Sequence, residues 1–372
     1  MADLKRNFRS IIRIPERYLR EIDVPLFVAV LSIVLFGIFN IAGIAGPNSD
    51  IVQKQIILIA IGIALMVLLS VFNYRYLRDY SFFVMLFYLL ALGLLTMTFF
   101  SHTVRGIKAW IFVGDYAFEP SELAKLALII VLAKYFSQRH IYIRQMTHII
   151  SSGFYFILPT ILILLQPDLG SALILSIIWF GILVISGINK KQILLLLLLG
   201  ASISGAAWVY ALQPYQKARV ISFINPLQDP KGTGYNLIQS KIAIGSGHIW
   251  GNGWGRGSQA RMGFLPESYN DFVFAATVEQ FGFAGALGVL SAMLYILYRI
   301  LKIGLEATTN FGKLFSVGMI IFIFSHIFIN MAANVGLLPI TGLPLPFLSY
   351  GGSNLVSIMM GVGITQSIKK FG

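Results

Sequence analysis

Long stretches without a charged residue are the feature that most limits what this chain can fold into. An α-helix needs roughly 20 apolar residues to cross a lipid bilayer. The composition agrees, because 57% of the 372 residues are hydrophobic and only 12% are charged, against roughly a quarter in soluble domains. We therefore predict an integral membrane protein. Six spanning helices are expected within 24–49, 55–74, 80–104, 145–167, 169–189 and 192–216.

Two further spans contain charged residues. The first, at about 120–137, includes Glu122 and Lys125, and the second, at about 271–298, includes Glu279. Charged side chains inside a membrane are costly and usually face a cavity or a partner. These two segments are therefore expected to be spans that carry a functional or a paired charge.

The last apolar stretch, 314–368, holds no charge but is too long for one helix. The prolines within 336–346 break the backbone hydrogen-bond ladder, so the stretch is predicted to form two spans. The expected fold is all-α, with about ten transmembrane helices in a single polytopic domain over residues 1–372.

Basic residues are distributed unevenly along the chain. Residues 1–23 are rich in arginine and resemble a cytoplasmic amphipathic segment, whereas the short outer loops hold only Lys54, Arg105 and Lys108. The positive-inside rule then places both termini in the cytoplasm. The excess of 28 Lys and Arg over 15 Asp and Glu therefore reflects membrane topology rather than nucleic-acid binding. Without cysteine, and with five scattered histidines, the chain shows no metal-ligand spacing.

This orientation leaves one large segment outside, residues 213–270 between the seventh and eighth spans. The segment is long, rich in glycine and not uniformly polar. Loops of this length usually carry function. The alternative is a flexible connector.

Asp271 lies at the predicted start of the eighth span, where the helix dipole favours an ionised carboxylate. An ionised carboxylate at the outer membrane surface is suited to act as a general base. Glu267 and Glu279 are weaker candidates for this role. The alternative is structural, because Ser268 and Asp271 also match the spacing of a capping box.

The charged residues of the spans need partners. Glu122 and Lys125 lie three apart on one helical face, and Asp168 opens the sixth span. We expect these residues and Glu279 to form one buried network, which either pairs charges structurally or binds an anionic, lipid-linked substrate. Trp110 is either a membrane-interface anchor or a platform for a sugar ring.

Together these residues resemble the SEDS family, the bacterial peptidoglycan glycosyltransferases of shape, elongation, division and sporulation (RodA, FtsW and SpoVE proteins). Segment 234–247 resembles the elongation branch, RodA, more than the division branch, FtsW. The motifs that carry the resemblance are Trp110, Pro120-Ser121-Glu122-Leu123-Ala124-Lys125, Gln166-Pro167-Asp168-Leu169-Gly170-Ser171-Ala172, Pro214-Tyr215-Gln216 with Arg219, Phe264-Leu265-Pro266-Glu267 with Asp271-Phe272, and 336–352.

The resemblance implies a ten-helix protein of the bacterial cytoplasmic membrane that polymerises lipid II, the undecaprenyl-linked disaccharide-pentapeptide. It also implies a class B penicillin-binding protein as partner, in addition to the surrounding membrane lipids. Asp271 matches the family's presumed catalytic aspartate. Trp110, Glu122, Lys125 and Asp168 match its other functionally sensitive positions.

The chain departs from the family pattern at three places. Glu119 stands where glutamine is usual, Asn270 where threonine is usual, and Gln280-Phe281 where Glu-Leu is common. The first departure predicts an extra negative charge near the substrate groove.

The mechanism that we expect is an inverting transfer in which Asp271 deprotonates a sugar 4-hydroxyl. Substrate contacts are predicted at Trp110, Glu122, Lys125, Asp168, Arg219, Lys241 and Glu267. The leaving group is a lipid pyrophosphate, so Arg219, Lys241 or a divalent cation, Mg²⁺ or Mn²⁺, is expected to stabilise its charge.

Two other functions are compatible with the sequence. A flippase would move the lipid-linked precursor across the bilayer without forming glycosidic bonds. A non-catalytic scaffold would only activate a transpeptidase and would not need Asp271.

Overall fold

The structure is a computed structural model that describes residues 21–103, 107–138, 145–230, 232 and 234–372. Almost all of the amphipathic segment predicted at 1–23 lies outside the described residues. At the end of that segment, the Asp23 carboxylate caps the first spanning helix by accepting the Leu26 N–H at 2.9 Å.

Over the described residues the fold is all-α, as predicted, except for one small hairpin that the sequence analysis did not predict. Strands β1 (Ile111–Val113) and β2 (Tyr116–Phe118) pair antiparallel, with Ile111 opposite Phe118. The helices are α1 (Val24–Ala45), α2 (Asp50–Val71), α3 (Arg75–Asp79), α4 (Ser81–Met97), α5 (Pro120–Ser137), α6 (Met146–Leu165), α7 (Leu169–Ser186), α8 (Lys190–Tyr210), α9 (Pro214–Ile224), α10 (Tyr235–Ser246), α11 (Ser258–Arg261), α12 (Val273–Glu306), α13 (Asn310–Val335) and α14 (Gly352–Phe371).

Eight helices among the described residues are long and apolar enough to cross a membrane: α1, α2, α4 with its 3₁₀ extension, α6, α7, α8, α12 and α13. Helices α5 and α14, with 18 and 20 residues, are also of spanning length but more polar. The predicted number of ten spans stays a prediction. The predicted break in the last apolar stretch is present, since α13 ends at Val335 and α14 begins at Gly352.

Local signals account for the helix ends. Pro120 and Pro214 occupy the first turns of α5 and α9, where a missing N–H costs nothing. At the other end, α13 stops at Gly336, which adopts a left-handed conformation with φ of 80°.

The bundle is packed with its polar helices inside. Helix α5 carries three charged residues, yet nearly all of its length is buried among α4, α7 and α13. Helix α8, an almost uniformly apolar segment, has no buried residue. This arrangement suits a bilayer, in which apolar surfaces face lipid and charged groups must find partners inside the protein.

Helix α12 is 34 residues long and is kinked at Gly282, whose φ of 67° and ψ of −167° are not helical. The kink separates a short outer part from a longer part that reaches the cytoplasmic side. There the Arg299 guanidinium pairs with the Asp23 carboxylate.

The outer segment 213–270 is not a flexible connector. It contains α9, α10 and α11, and α10 packs against both α12 and α13. Leu265 and Phe272 form a small apolar cluster with Ala243 of α10. This packing holds the residues that precede α12 in a defined position.

Candidate functional site

Asp271 lines an open cavity of about 400 Å³ at the outer end of the bundle. Tyr215 and Arg219 of α9 and Asn236 of α10 form other parts of its wall, together with Glu267. Asp271 is half-buried, so its carboxylate is neither sealed beneath neighbours nor directed to the cytoplasmic side. The position predicted for a general base is therefore accessible.

The turn before α12 positions Asp271. Glu267 adopts a positive φ of 53°, and its carbonyl accepts the N–H groups of Asn270 and Phe272 at 3.0 and 3.2 Å. The capping-box alternative is wrong, because α12 begins at Val273 and no side chain caps it. Ser268 instead donates its hydroxyl to the Ala260 carbonyl at 3.5 Å.

Two asparagines of α13 hold the backbone of Asp271. The Nδ2 groups of Asn330 and Asn334 each donate to the Asp271 carbonyl at 2.9 Å. Asn334 also accepts the Ala275 N–H at 3.1 Å. Our sequence analysis missed both residues. Their signal was a pair of amides spaced i, i+4 in a charge-free span, which places them on one helical face.

Two of the predicted basic residues have different surroundings. The Arg219 guanidinium lies 5.9 Å from the ring centre of Tyr215, at the cavity. The Lys241 side chain lies against Gly336, at the C-terminal end of α13, and is not among the residues that line the cavity. Arg219 is therefore the better placed to meet an anionic group in the cavity.

Glu122 and Lys125 lie in the protein interior. Their side chains are 1% and 0% exposed, and Lys125 Nζ is 2.7 Å from Glu122 Oε1. Asn354 of α14 donates to the other carboxylate oxygen at 2.9 Å, and His326 Nε2 lies 3.9 Å from it. The ion pairing considered as a structural alternative is present. Direct binding of substrate by these two residues stays a prediction.

Asp168 belongs to a neighbouring polar cluster at the outer ends of α5 and α7. Its carboxylate caps α7 by accepting the Ser171 N–H at 3.0 Å. The Ser171 hydroxyl lies 3.2 Å from that of Ser121, which donates to Glu119 at 2.6 Å. Gln216 of α9 donates to the Pro167 carbonyl at 3.3 Å and so joins this cluster to the helix that lines the cavity.

The extra negative charge predicted at Glu119 is reduced at neutral pH, because the raised pKa of its carboxyl keeps most of it protonated. Burial, followed by repulsion from the Glu122 and Asp168 carboxylates, raises the pKa of Glu119 to about 8. A protonated glutamic acid has nearly the shape and hydrogen-bonding capacity of glutamine. The departure from the family pattern is therefore chemically smaller than the residue change suggests.

Glu279 is separate from these groups, so the prediction of one buried network was wrong. Its carboxylate accepts the N–H groups of Gln259 and Ala260 at 2.7 and 3.0 Å and thereby holds α11. The physical reason is that Glu279 of α12 faces the start of α11, and unpaired backbone N–H groups at a helix start attract a carboxylate.

Trp110 is half-buried in the outer loop just before β1 and is not among the residues that line the cavity. Both of its predicted roles stay open. Among the residues that the structure describes, no three histidine, aspartate or glutamate side chains are grouped closely enough to hold a metal ion.

Comparison with known proteins agrees with this architecture. Residues 22–372 match the model of the FtsW/RodA/SpoVE family, described as cell cycle proteins. The chain belongs to the FtsW/RodA/SpoVE family. The SEDS resemblance carried by the sequence motifs is thereby confirmed.

Individual members of the FtsW/RodA/SpoVE family cover nearly the whole chain. The peptidoglycan glycosyltransferase MrdB of Escherichia coli is 32% identical over 94% of this chain and 93% of its own length. A solved structure described as a peptidoglycan synthase complex that coordinates polymerization and crosslinking matches with a TM-score of 0.79 and 28% identity, over 94% of this chain and 97% of that one. RodA of Thermus thermophilus matches with a TM-score of 0.69 and 26% identity, over 94% and 96%.

Family membership also confirms the expected location. The protein is a multi-pass protein of the bacterial cytoplasmic membrane. Within the FtsW/RodA/SpoVE pattern, Gln280 replaces a common glutamate, and here its side chain accepts the Gly255 N–H at 2.9 Å and donates to Asn40 Oδ1 at 2.8 Å. An amide can do both, whereas an ionised carboxylate only accepts.

Proposed function

We propose that this protein polymerises lipid II into glycan strands at the outer face of the membrane during cell-wall elongation, with Asp271 as general base. The observation that carries the proposal is the position of Asp271, which lines an open cavity beside Arg219 at the outer end of a spanning helix. Its role as base and the identity of the substrate belong to this proposal.

The broader activity rests on family membership. The chain is a peptidoglycan glycosyltransferase, as the resemblance implied and as the name of its full-length relative MrdB indicates. It is therefore an enzyme, and the large structured outer segment is the region in which substrate meets protein.

The proposed step is a direct displacement. Asp271 removes the proton from the sugar 4-hydroxyl of one lipid-linked substrate, and the oxygen bonds to the anomeric carbon of the other. The bond between that carbon and the phosphate oxygen breaks on the opposite face. The lipid pyrophosphate leaves with the electron pair, the configuration inverts, and Asp271 later releases the proton to water.

Charge develops on the leaving pyrophosphate, and the described lining of the cavity includes a group suited to stabilise it. The Arg219 guanidinium is permanently charged and presents donors that match phosphate oxygens. Its placement over Tyr215, at 5.9 Å, limits its orientation. A preorganised cation at this position lowers the transition-state energy without rearranging during the reaction.

A divalent cation, Mg²⁺ or Mn²⁺, is a second possible source of this stabilisation. Such ions are often held by one or two carboxylates together with substrate phosphates, and Asp271 and Glu267 both line the cavity. Removing divalent ions with EDTA and restoring Mg²⁺ tests the requirement. Loss and recovery of polymer would indicate a bound cation. Unchanged polymer would indicate that Arg219, without a cation, stabilises the negative charge of the pyrophosphate.

We further propose a class B penicillin-binding protein as the working partner, whose transpeptidase crosslinks the new strands. The similarity to a solved peptidoglycan synthase complex that coordinates polymerization and crosslinking supports this proposal.

The decisive experiment uses purified protein in lipid vesicles with lipid II, with and without the transpeptidase. Wild-type protein should form glycan polymer, and the Asp271→Asn variant should form roughly 10²- to 10⁴-fold less while keeping its melting temperature and partner binding. Movement of lipid II across the bilayer without polymer would favour the flippase. Equal polymer from wild type and the variant would remove Asp271 from the mechanism.

A further inference from the structure

Residues 248–254 of the outer segment, here called the kink segment, are hydrogen-bonded to the kink of α12. A Cβ atom at Gly282 would collide with the Ile249 carbonyl, so the two backbones are in direct contact there. Four backbone bonds join them: Phe283 N–H to the His248 carbonyl at 2.9 Å, Ala284 N–H to Ile249 at 3.0 Å, Asn252 N–H to Glu279 at 2.9 Å and Gly253 N–H to Gln280 at 3.0 Å.

These hydrogen bonds allow backbone that is not helical to lie within the bilayer. Inside a bilayer every N–H and C=O group must find a partner in the protein, because lipid offers none. The kink frees backbone groups of α12, and the kink segment uses them. The Trp254 indole N–H is also bonded, donating to the Phe39 carbonyl of α1 at 2.8 Å.

The side chains of the kink segment face outward. Ile249 and Trp250 are 62% and 80% exposed. Beside them on α12, Phe283 and Leu287 are 63% and 52% exposed and belong to a spanning helix. The apolar surface of the kink segment is therefore continuous with a surface that faces lipid.

The length of α12 indicates how far this apolar surface lies from the cytoplasmic border of the bilayer. The Arg299 and Asp23 ion pair marks the cytoplasmic border of the bundle. Phe283 precedes Arg299 by sixteen residues, which is about 24 Å along a helix. The hydrocarbon layer is about 30 Å thick. Phe283, and the kink segment bonded beside it, therefore lie near the outer boundary of the hydrocarbon.

The length of α1 gives an independent estimate of the same distance from the cytoplasmic border. Phe39 follows Asp23 by sixteen residues, again about 24 Å. Its ring stacks on that of Trp254, with centroids 5.1 Å apart and planes 9° from parallel. Tryptophan is enriched at this boundary, where an apolar ring and a polar N–H are both accommodated.

We propose that the kink segment is a membrane anchor whose Ile249 and Trp250 side chains insert among the outer-leaflet lipids at the headgroup boundary. The occupant of this surface is lipid, because it continues the lipid-facing side of α12 and lies within the bilayer thickness.

The anchor connects to the candidate active site. Glu279 accepts the Asn252 N–H of the kink segment with its carbonyl, and its carboxylate binds the N–H groups of Gln259 and Ala260. Gln259 in turn accepts the Leu265 N–H at 2.8 Å, six residues before Asp271. If the proposed function holds, the anchor keeps the base at a constant height above the membrane, where a lipid-linked sugar is presented.

Single-cysteine spin labelling tests the anchor directly, because the chain has no native cysteine. Nitroxide labels on Ile249→Cys and Trp250→Cys are compared in phosphatidylethanolamine and phosphatidylglycerol vesicles. Leu287→Cys on the lipid-facing side of α12 and the exposed Thr308→Cys between α12 and α13 are the lipid and water references. Power saturation then measures access of oxygen and of a water-soluble nickel chelate to each label.

The anchor predicts that both labels are relaxed by oxygen more strongly, and by nickel more weakly, than the Thr308→Cys label, with oxygen access approaching that of the deeper Leu287→Cys label. Nickel access equal to that of the Thr308→Cys label at both positions would overturn the proposal, and would be the result if the surface awaited a water-exposed protein partner. The measurement requires no catalysis, so its failure is distinguishable from failure of the proposed function.

Discussion

Glu122 and Asp271 are both carboxylates expected to take part in chemistry, but their surroundings are opposite. Glu122 is 1% exposed and paired with Lys125 at 2.7 Å in the middle of the bundle. Asp271 is half-buried, precedes its helix and lines an open cavity. A buried carboxylate within a span has to be neutralised by a fixed partner. A carboxylate before a helix start keeps access to water and to substrate hydroxyls.

The strongest test of this comparison is to remove each charge in turn. Asp271→Asn should lower polymer formation by roughly 10²- to 10⁴-fold, the usual contribution of a general base, with an unchanged melting temperature. Polymerisation rates and thermal unfolding measured on the same preparation check this. Asp115→Asn, in the exposed turn of the outer hairpin and outside the cavity lining, is the matched control and should retain most activity. An equal loss in both variants would contradict a special role for Asp271.

At the buried Glu122–Lys125 pair, removing a charge should affect the stability of the fold more than the activity. Lys125→Met leaves the Glu122 carboxylate in the interior without its cation, which should destabilise the fold by about 3–5 kcal/mol. The double variant Glu122→Gln and Lys125→Met should recover most of that stability, because no buried charge remains. Thermal unfolding in detergent measures both. A single variant as stable as wild type would show that the pair is not needed for folding.

The contribution of Arg219, which lines the cavity, can be measured separately from that of Lys241, which does not. Arg219→Gln should slow polymerisation by roughly ten- to a hundredfold, since a hydrogen bond to a charged group contributes about 1.5–3 kcal/mol. Lys241→Gln should have little effect, because its side chain lies against Gly336. Steady-state rates with lipid II measure both. A larger loss in the Lys241 variant would reverse the assignment.

The asparagines behind Asp271 should have a smaller effect. Asn334→Leu leaves the Ala275 N–H without its acceptor and removes one of two donors to the Asp271 carbonyl. Such losses cost about 1–3 kcal/mol. We expect lower kcat with a similar KM, because the base is displaced while the cavity remains. A changed KM with constant kcat would argue against this positioning role.

The last test concerns Glu119, where the expected effect depends on pH. Its raised pKa means that, relative to the Glu119→Gln variant, the wild type should lose stability as pH rises from the unfolded-state pKa of about 4.5. The loss should level off above about pH 8, where the folded group also ionises. Melting temperatures from pH 5 to 9 measure the difference. A constant difference across this range would mean that Glu119 is already ionised.

Much of this architecture was predictable. Each apolar run became a helix, and the prolines in 336–346 separated α13 from α14, because both effects act locally on the backbone. The position of Asp271 beside the start of α12 was likewise local. The hairpin at β1 and β2 was missed, since its strands are only three residues long.

The predicted grouping of charges failed for a different reason. The prediction joined Glu279 to Glu122, Lys125 and Asp168, but the Glu279 carboxylate binds the backbone at the start of α11 instead. Which buried charges meet depends on how helices far apart in sequence are arranged, and helical spacing alone contains no such information.

Local features of the chain were enough to predict a membrane protein of about ten helices, its orientation and a carboxylate at the outer start of the eighth span. These follow from hydropathy, the distribution of basic residues and backbone chemistry, which act over a few neighbouring residues. The packed bundle was needed to show that Glu122 and Lys125 are enclosed, that Asn330 and Asn334 hold Asp271, and that Arg219 rather than Lys241 shares its cavity. Those outcomes depend on contacts between distant segments, which form only when the whole bundle is packed.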